Sequence, residues 1–280
     1  MRNVTGTGPG GRISVEDIKS YVRQTAAQRA TTISARAPVE LPDFTKFGEV
    51  SREPMSGVRR ATARHMSLCW SEIPHVTIFE RADVTGLEEV RKEFKAKAEE
   101  AGGRLTITAL LLKVVAAALK AHPRINASLD LAKQEIVFKR YYHIGVAVDT
   151  PRGLLVPVLR DADKKTIIQI AVELTRLSEK ARTGKLAPDD MQGASFTVTN
   201  LGGLGTTYFT PIVNFPEVAI LGVGRATMEP VFSHGTFEPR LLMPLSLSFD
   251  HRIVDGADGA RFLHWIVEAM EKPLMLSMEG

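Results

Sequence analysis

A single cysteine, Cys69, stands in the 280 residues. It has no partner for an internal disulfide, and without a Cys-x-x-Cys pair the usual zinc and dithiol frameworks are excluded. A reducing compartment fits that usage. Long apolar runs are missing too. The longest stretch, residues 105–119, carries Lys113 and is too short to cross a bilayer. The opening Met-Arg-Asn-Val-Thr-Gly has no apolar core of the kind that marks a secretory signal. None of the seven histidines forms His-x-x-x-His or His-Glu-x-x-His, so no zinc site is read. Gly184-Lys185 lacks the upstream glycine of a phosphate-binding loop, and there is no Gly-x-Ser-x-Gly elbow.

Aromatic residues make up only 6% of the chain, which bears on its charge. The net charge is +4, and it sits in one place: residues 1–64 hold 11 Lys and Arg against 6 Asp and Glu, the rest 25 against 26. A nucleic-acid surface interleaves its basic residues with aromatics. Residues 1–64 offer only Tyr21, Phe44 and Phe47, so an acidic protein partner explains the basic arm at least as well.

Three stretches follow from the pattern. Residues 1–23 comprise a glycine-rich loop, Gly6-Thr7-Gly8-Pro9-Gly10-Gly11-Arg12-Ile13, then Ser14 as an N-cap with Glu16 and Asp17 in the first helical turn. The Gly-x-Gly-x-x-Gly spacing there has no buried strand before it, which argues against a dinucleotide site. A lone loop and helix cannot bury a core, so this is part of a domain or a piece that docks on a partner. Residues 24–54 read as a linker, and the main domain spans 55–280.

Within 55–280, helical and strand signals alternate. Residues 84–101 predict an amphipathic helix, capped by Asp83 or Thr85 and stopped by Gly102-Gly103. Residues 106–121 are apolar nearly all round, the mark of a buried helix. Strand-like runs fall at 135–148, 154–159, 195–199, 218–223 and 241–249. Further helices are expected from Ile167 to Gly184 and over 257–271. The class is α/β with one large mixed sheet.

Two segments could carry chemistry. In Ser248-Phe249-Asp250-His251-Arg252-Ile253-Val254-Asp255-Gly256, an apolar strand ends in a histidine just before a helix, at a sheet edge that a substrate can reach. Taken alone, His251 reads more simply as an exposed loop histidine. In Phe196-Thr197-Val198-Thr199-Asn200-Leu201-Gly202, a strand runs into a glycine-rich turn. Thr199 or Asn200 could donate to an oxyanion, or could simply be strand and turn residues.

Taken together, these segments resemble the dihydrolipoamide acyltransferase component of 2-oxo acid dehydrogenase complexes. The family's His-x-x-x-Asp-Gly stands as His251 to Gly256, and its Phe-Thr-(Ile/Val)-(Ser/Thr)-Asn-Leu-Gly as Phe196 to Gly202. Ile73-Pro74-His75-Val76, Asp149-Thr150-Pro151-Arg152-Gly153-Leu154, Pro211-Ile212-Val213-Asn214 and Pro216-Glu217-Val218-Ala219-Ile220-Leu221-Gly222 fall in family order. The similarity covers about 55–280, and residues 4–23 look like the C-terminal half of a peripheral subunit-binding domain.

The resemblance implies a chloramphenicol acetyltransferase-like fold and acyl transfer between a dihydrolipoyl thiol and coenzyme A. It implies His251 as general base, Thr199 as oxyanion donor, and Asp255 holding the loop through an ion pair with Arg91. Coenzyme A contacts carry over to Arg91, Thr106, Asp149, Asn200, Gly224 and Ala226. Ser178 stands where relatives have a longer polar side chain, and Arg225 lies beside the expected adenine side.

The resemblance further implies a trimer whose subunits share each site, built into a 24- or 60-subunit core. Decarboxylase and dihydrolipoamide dehydrogenase would be the partners of the full-length protein, and the lipoyl group would ride on a domain absent from this chain. Neither nucleic acid nor membrane is expected as a partner. The location implied is bacterial cytoplasm ahead of mitochondrial matrix. Acetyl is preferred to succinyl or branched-chain groups. A non-catalytic core protein and a soluble chloramphenicol acetyltransferase-type enzyme are the competing readings. His251, Asp255 and Thr199 argue against the first, and the 6–13 loop with its linker against the second.

Overall fold

The computed structural model describes residues 40–275, together with Gly8, Val15 and Asp17. Apart from those three residues, the loop and helix expected in 1–23 lie outside the described residues, as does the linker up to residue 39. Two compact units divide the chain, Met1–Pro54 and Met55–Gly280. In the first, a single 3-10 turn, Phe44–Lys46, is capped by the Asp43 carboxylate.

The second unit holds five helices among the described residues: α1 (Gly57–Glu72), α2 (Thr85–Glu100), α3 (Ile107–Ala121), α4 (Ile167–Arg182) and α5 (Gly256–Glu271). Its strands are β1 (His75–Asp83), β2 (Ala127–Asp130), β3 (Glu135–Phe138), β4 (Ile144–Val146), β5 (Val158–Leu159), β6 (Phe196–Asn200), β7 (Ala219–Val223), β8 (Thr227–Ser233) and β9 (Thr236–Asp250). Seven of these form a mixed sheet in the order β1-β9-β7-β6-β4-β5, with β8 paired to β9. The inner strands β4, β6 and β7 are parallel, and the other pairings are antiparallel. Strands β2 and β3 make a separate hairpin.

The two faces of the sheet differ because strand side chains alternate. One face presents Leu245, Leu247, Phe249, Leu221, Val198 and Phe196 to helices α2–α5, forming the main core. Helix α3 is the centre of that layer, with ten buried residues from Ala109 to Leu119. Its Thr106 hydroxyl accepts from the Ala109 N–H at 3.1 Å and starts the helix. Fully burying a leucine such as Leu111 or Leu112 contributes about 2 kcal/mol. Helix α4 begins with a reciprocal cap between Thr166 and Gln169.

The opposite face carries small and hydroxyl-bearing residues. Thr77, Ser248, Ile220 and Thr197 form one row across β1, β9, β7 and β6. Phe79, Ser246, Gly222 and Thr199 form the next. A minor apolar cluster, Ile73, Val213 and Ile220 with Phe215, joins loop 206–217 to this face.

That loop is fastened by polar contacts to three elements. The Val213 N–H donates to His75 Nε2 at 2.9 Å, while His75 Nδ1–H donates to Ile73 O at 2.7 Å. His75 is thereby a neutral structural histidine with its proton on Nδ1. The Phe215 N–H donates to Cys69 Sγ, and His65 Nε2–H donates to Asn214 Oδ1. At the base lies Glu217, whose carboxylate accepts from Thr197 Oγ1 at 2.7 Å and from Asn214 Nδ2 at 2.8 Å.

Helices α2 to α5 match the expected positions to within a residue or two. The run expected over 135–148 is two strands, β3 and β4, separated by residues 139–143. Helix α1 and strands β1, β2 and β8 have no counterpart among the elements expected from the sequence pattern. Helix α1 buries only Cys69, so it has no apolar stripe to show. Strand β1 lies at the sheet's end, and Ala82 is its one fully buried residue. No helix among the described residues is long and apolar enough to cross a membrane.

Burial pushes the Glu217 carboxyl up to about 7, only partly offset by its hydrogen bonds and by Lys139. The folded state therefore holds this proton more tightly than the unfolded chain, where the value is 4.5. This contribution to stability is complete below about pH 4.5 and is lost as pH rises through about 7. Glu217→Gln should remove it: wild type loses about 2 kcal/mol more than the variant between pH 5 and pH 8. Denaturant midpoints at the two pH values check this.

Candidate active site

Strand β9 delivers His251 by ending in a built turn. Its last residue, Asp250, is buried, pairs with His75 of β1, and donates its N–H to Val218 O. The His251 N–H donates to Pro74 O at 3.1 Å, and the Ile253 and Val254 N–H groups both reach Asp250 O. Arg252 then folds back on the Asp250 carboxylate. Its backbone N–H and Nε donate to Oδ1 at 3.0 and 2.9 Å, and its Nη2 to Oδ2 at 2.7 Å. These bonds raise the Arg252 guanidinium above its ordinary value and keep it charged. Ile253 and Val254 drop into the core, and α5 starts after Asp255. Fixed on both sides, the His251 ring projects outward. It is exposed, tilts against Phe249 at 5.9 Å, and has no hydrogen-bond partner among the described residues.

Thr199 lies two residues beyond Thr197 on the same face of β6. The Thr197 hydroxyl is committed to Glu217, whereas that of Thr199 has no partner among the described residues. A free hydroxyl on a strand with little room to move is suited to donate to a developing negative oxygen.

The residues expected to hold coenzyme A gather around the Thr199 end of the parallel strands. Asn200 follows Thr199 directly, donates from Nδ2 to Thr108 Oγ1 at 2.9 Å and accepts from the Gly202 N–H at 2.8 Å. Thr106, the N-cap of α3, lies two residues before Thr108. Arg91 Nη1 donates to Leu105 O at 3.4 Å. Gly224 and Ala226 follow β7, whose Val223 pairs with Asn200. Asp149 is exposed beyond the C-terminal end of β4. Ser178 lines a hollow of about 140 Å³ with Arg104, Thr106 and Arg182. Arg225 is exposed, and its backbone N–H is taken by Thr206 O.

His251 and Asp255 lie at the opposite end. Thr199 pairs with Gly222, and Gly222 with Ser246, five residues before His251 along β9. Two strand spacings and five residues of extended chain place Thr199 and His251 about 20 Å apart. A single copy of the chain does not bring His251 and Thr199 together.

The expected ion pair between Asp255 and Arg91 is not formed. The Arg91 guanidinium is held by Glu88, three residues earlier on α2, through Nε at 2.6 Å and Nη2 at 2.7 Å. A partner one helical turn away lies within easy reach of Arg91. Asp255 is exposed and makes no side-chain cap bond to α5. Sequence reasoning also passed over the Asp250–Arg252 clasp, although two opposite charges flanking the histidine were visible in the sequence.

A family model for the 2-oxoacid dehydrogenases acyltransferase (catalytic domain) matches residues 47–278. The dihydrolipoyllysine-residue acetyltransferase component of pyruvate dehydrogenase complex from Haemophilus influenzae is 46% identical over 95% of this chain and 50% of its own length. Its Pseudomonas aeruginosa counterpart is 48% identical over 94% of this chain and 49% of its own. Among solved structures, dihydrolipoamide acetyltransferase of Azotobacter vinelandii superposes with a TM-score of 0.83 at 49% identity, covering 86% of this chain and 99% of that one. The cubic core of the pyruvate dehydrogenase multienzyme complex gives a TM-score of 0.83 at 48% identity, with the same coverage. The chain spans about half the length of these curated relatives.

The clasp makes a prediction of its own. Arg252→Met leaves the buried Asp250 carboxylate without its ionic partner and should destabilise the protein by about 2–3 kcal/mol. Asp250→Asn in the same background should recover part of that loss, since the uncompensated charge is gone. Denaturant unfolding of the three variants measures it.

Proposed function

Because the chain belongs to the 2-oxoacid dehydrogenase acyltransferase family, we propose that it transfers an acetyl group between dihydrolipoamide and coenzyme A. The observation that carries this is the outward-facing His251 ring, held by a turn built for it and left without a partner. In this reading His251 accepts the proton of the attacking thiol. The thiolate adds to the thioester carbonyl carbon, and the carbonyl electrons move onto oxygen. The Thr199 hydroxyl donates to that oxyanion. Collapse of the adduct expels the second sulfur, which takes the proton back from His251. The steps are symmetric, so the same groups serve both directions.

Coenzyme A lies at the rim formed by Arg91, Thr106, Asp149, Asn200, Gly224 and Ala226. Asp149 is the side chain there without a partner among the described residues, whereas those of Asn200, Thr106 and Arg91 already have partners and the Gly224 N–H is taken by Pro244 O. Asp255 stands at the N-cap position of α5, four residues after the base, with its carboxylate not bonded to the helix.

The site is completed by a second copy of the chain, His251 of one subunit meeting Thr199 of the next in a trimer. The 20 Å separation supports this arrangement. Trimers build the core of a 2-oxo acid dehydrogenase complex, as a 24- or 60-subunit particle, in which decarboxylase and dihydrolipoamide dehydrogenase are the partners. The similarity to a structure described as the cubic core of such a complex supports that assembly. The bacterial source of the relatives supports a cytoplasmic location.

Transfer from acetyl-CoA to free dihydrolipoamide, read as new thioester, tests the reading. His251→Ala should lower turnover by at least about three orders of magnitude while light scattering shows the same particle mass. Thr199→Val should cost about two to three orders of magnitude in kcat with little change in KM. Near wild-type turnover in assembled His251→Ala would remove the base assignment.

A further inference from the structure

Asn200 ends β6 next to Thr199, and its side-chain amide is bonded at both ends within the chain. Nδ2 donates to Thr108 Oγ1 at 2.9 Å, and Oδ1 accepts from the Gly202 N–H at 2.8 Å. Because strand side chains alternate, Asn200 continues the row of Phe196 and Val198 toward the helix layer, while Thr199 faces the other way. Both anchors of the amide are themselves fixed. Thr108 stands in the first turn of α3, the helix with ten buried residues, which the Thr106 hydroxyl starts. Gly202 is pressed onto the chain that follows β7: a Cβ there would fall 2.6 Å from Gly224 O, and the Leu201 N–H donates to Val223 O at 3.0 Å.

The end of β6 needs such a brace. On the β4 side the ladder stops at the Val146–Val198 pair, and on the β7 side at Asn200–Val223. Beyond Val198 the strand is held by β7 and by the Asn200 side chain. The Thr199 hydroxyl has no partner among the described residues, so its position follows from where the strand end is held. We propose that Asn200 is a positioning residue, which through Thr108 and Gly202 holds the end of β6 so that the Thr199 hydroxyl meets the oxyanion. This rests on the acyl-transfer reading with Thr199 as the oxyanion donor. Asn200 lies at the rim expected to meet coenzyme A, but an amide bonded at both ends serves the strand before it serves a ligand. A shift of about 1 Å in a group that must meet reacting atoms can cost about 100-fold in rate.

The test measures transfer from acetyl-CoA to dihydrolipoamide by the assembled full chain as wild type, Asn200→Ala, Thr108→Val and Thr199→Val, and by the two double variants that add Thr199→Val to each of the others. Asn200→Ala should lower kcat by about 10–100-fold with KM for acetyl-CoA within about twofold of wild type. Thr108→Val removes only the anchor on α3 and should lower kcat by at least about threefold, again with KM held. In the Thr199→Val background both losses should shrink to within about twofold, because a brace acts through the hydroxyl that is gone. Thr108→Val, which keeps the volume and shape of the threonine, decides the matter alone should Asn200→Ala fail to assemble. Unchanged kcat in assembled Thr108→Val, a raised KM with kcat unchanged in Asn200→Ala, or undiminished losses in the Thr199→Val background would each overturn the inference and leave acyl transfer standing. No transfer by the wild type from any acyl-CoA would overturn the acyl-transfer reading and this inference with it.

Discussion

The hydrogen-bonded register of β6, β7 and β9 fixes the distance between the two groups on which the proposed chemistry rests. Thr199 pairs with Gly222, Gly222 with Ser246, and the strand then runs five more residues to His251. Slipping any of these strands by one residue would turn its core side chains toward the other face, so the register is held by the whole apolar layer under α2–α5. The separation of about 20 Å is therefore rigid. A chain built this way keeps His251, the proposed base, at one end and Thr199, the proposed oxyanion donor, at the other, and in the proposed mechanism a second copy completes the site.

The two faces of the sheet divide the work. The helix-covered face supplies stability through large apolar residues, Phe196, Phe249 and Phe262 among them. The other face uses hydroxyls and glycines, which leave room for a fastened loop and for the Thr199 hydroxyl, unpartnered among the described residues. Glu217 beneath that loop is a costly group to bury, and its bonds to Thr197 and Asn214 offset part of the penalty. The network also distinguishes the two threonines of β6: Thr197 is committed to Glu217, and Thr199 is the one whose hydroxyl has no partner among the described residues.

Much of this was legible in the sequence where burial is one-sided or complete. Helix α3 announced itself by apolar residues on every side, and α4 and α5 by apolar stripes. Strands β6, β7 and the last half of β9 showed as β-branched or apolar runs. Helix α1 did not, because one buried cysteine gives no period. The positions of His251 and Thr199 at the ends of strands could be read, but their distance could not, since it depends on pairings between residues 22 to 30 positions apart. The Asp255–Arg91 pair failed because Glu88 is one helical turn from Arg91. The segment 206–209, which lies directly on Gly222 and Gly224, had no signal except those two glycines at alternate positions.

The most direct test of a site shared between copies is complementation between two inactive variants. His251→Ala and Thr199→Val are each purified, mixed under conditions that exchange subunits, and assayed for acetyl transfer alongside the unmixed parents. With random mixing, each interface has about a one-in-four chance of an intact histidine meeting an intact threonine, so activity should recover to about a quarter of wild type. Activity that stays at the level of the parents, in particles shown to contain both variants, would place base and donor in the same chain and contradict the account.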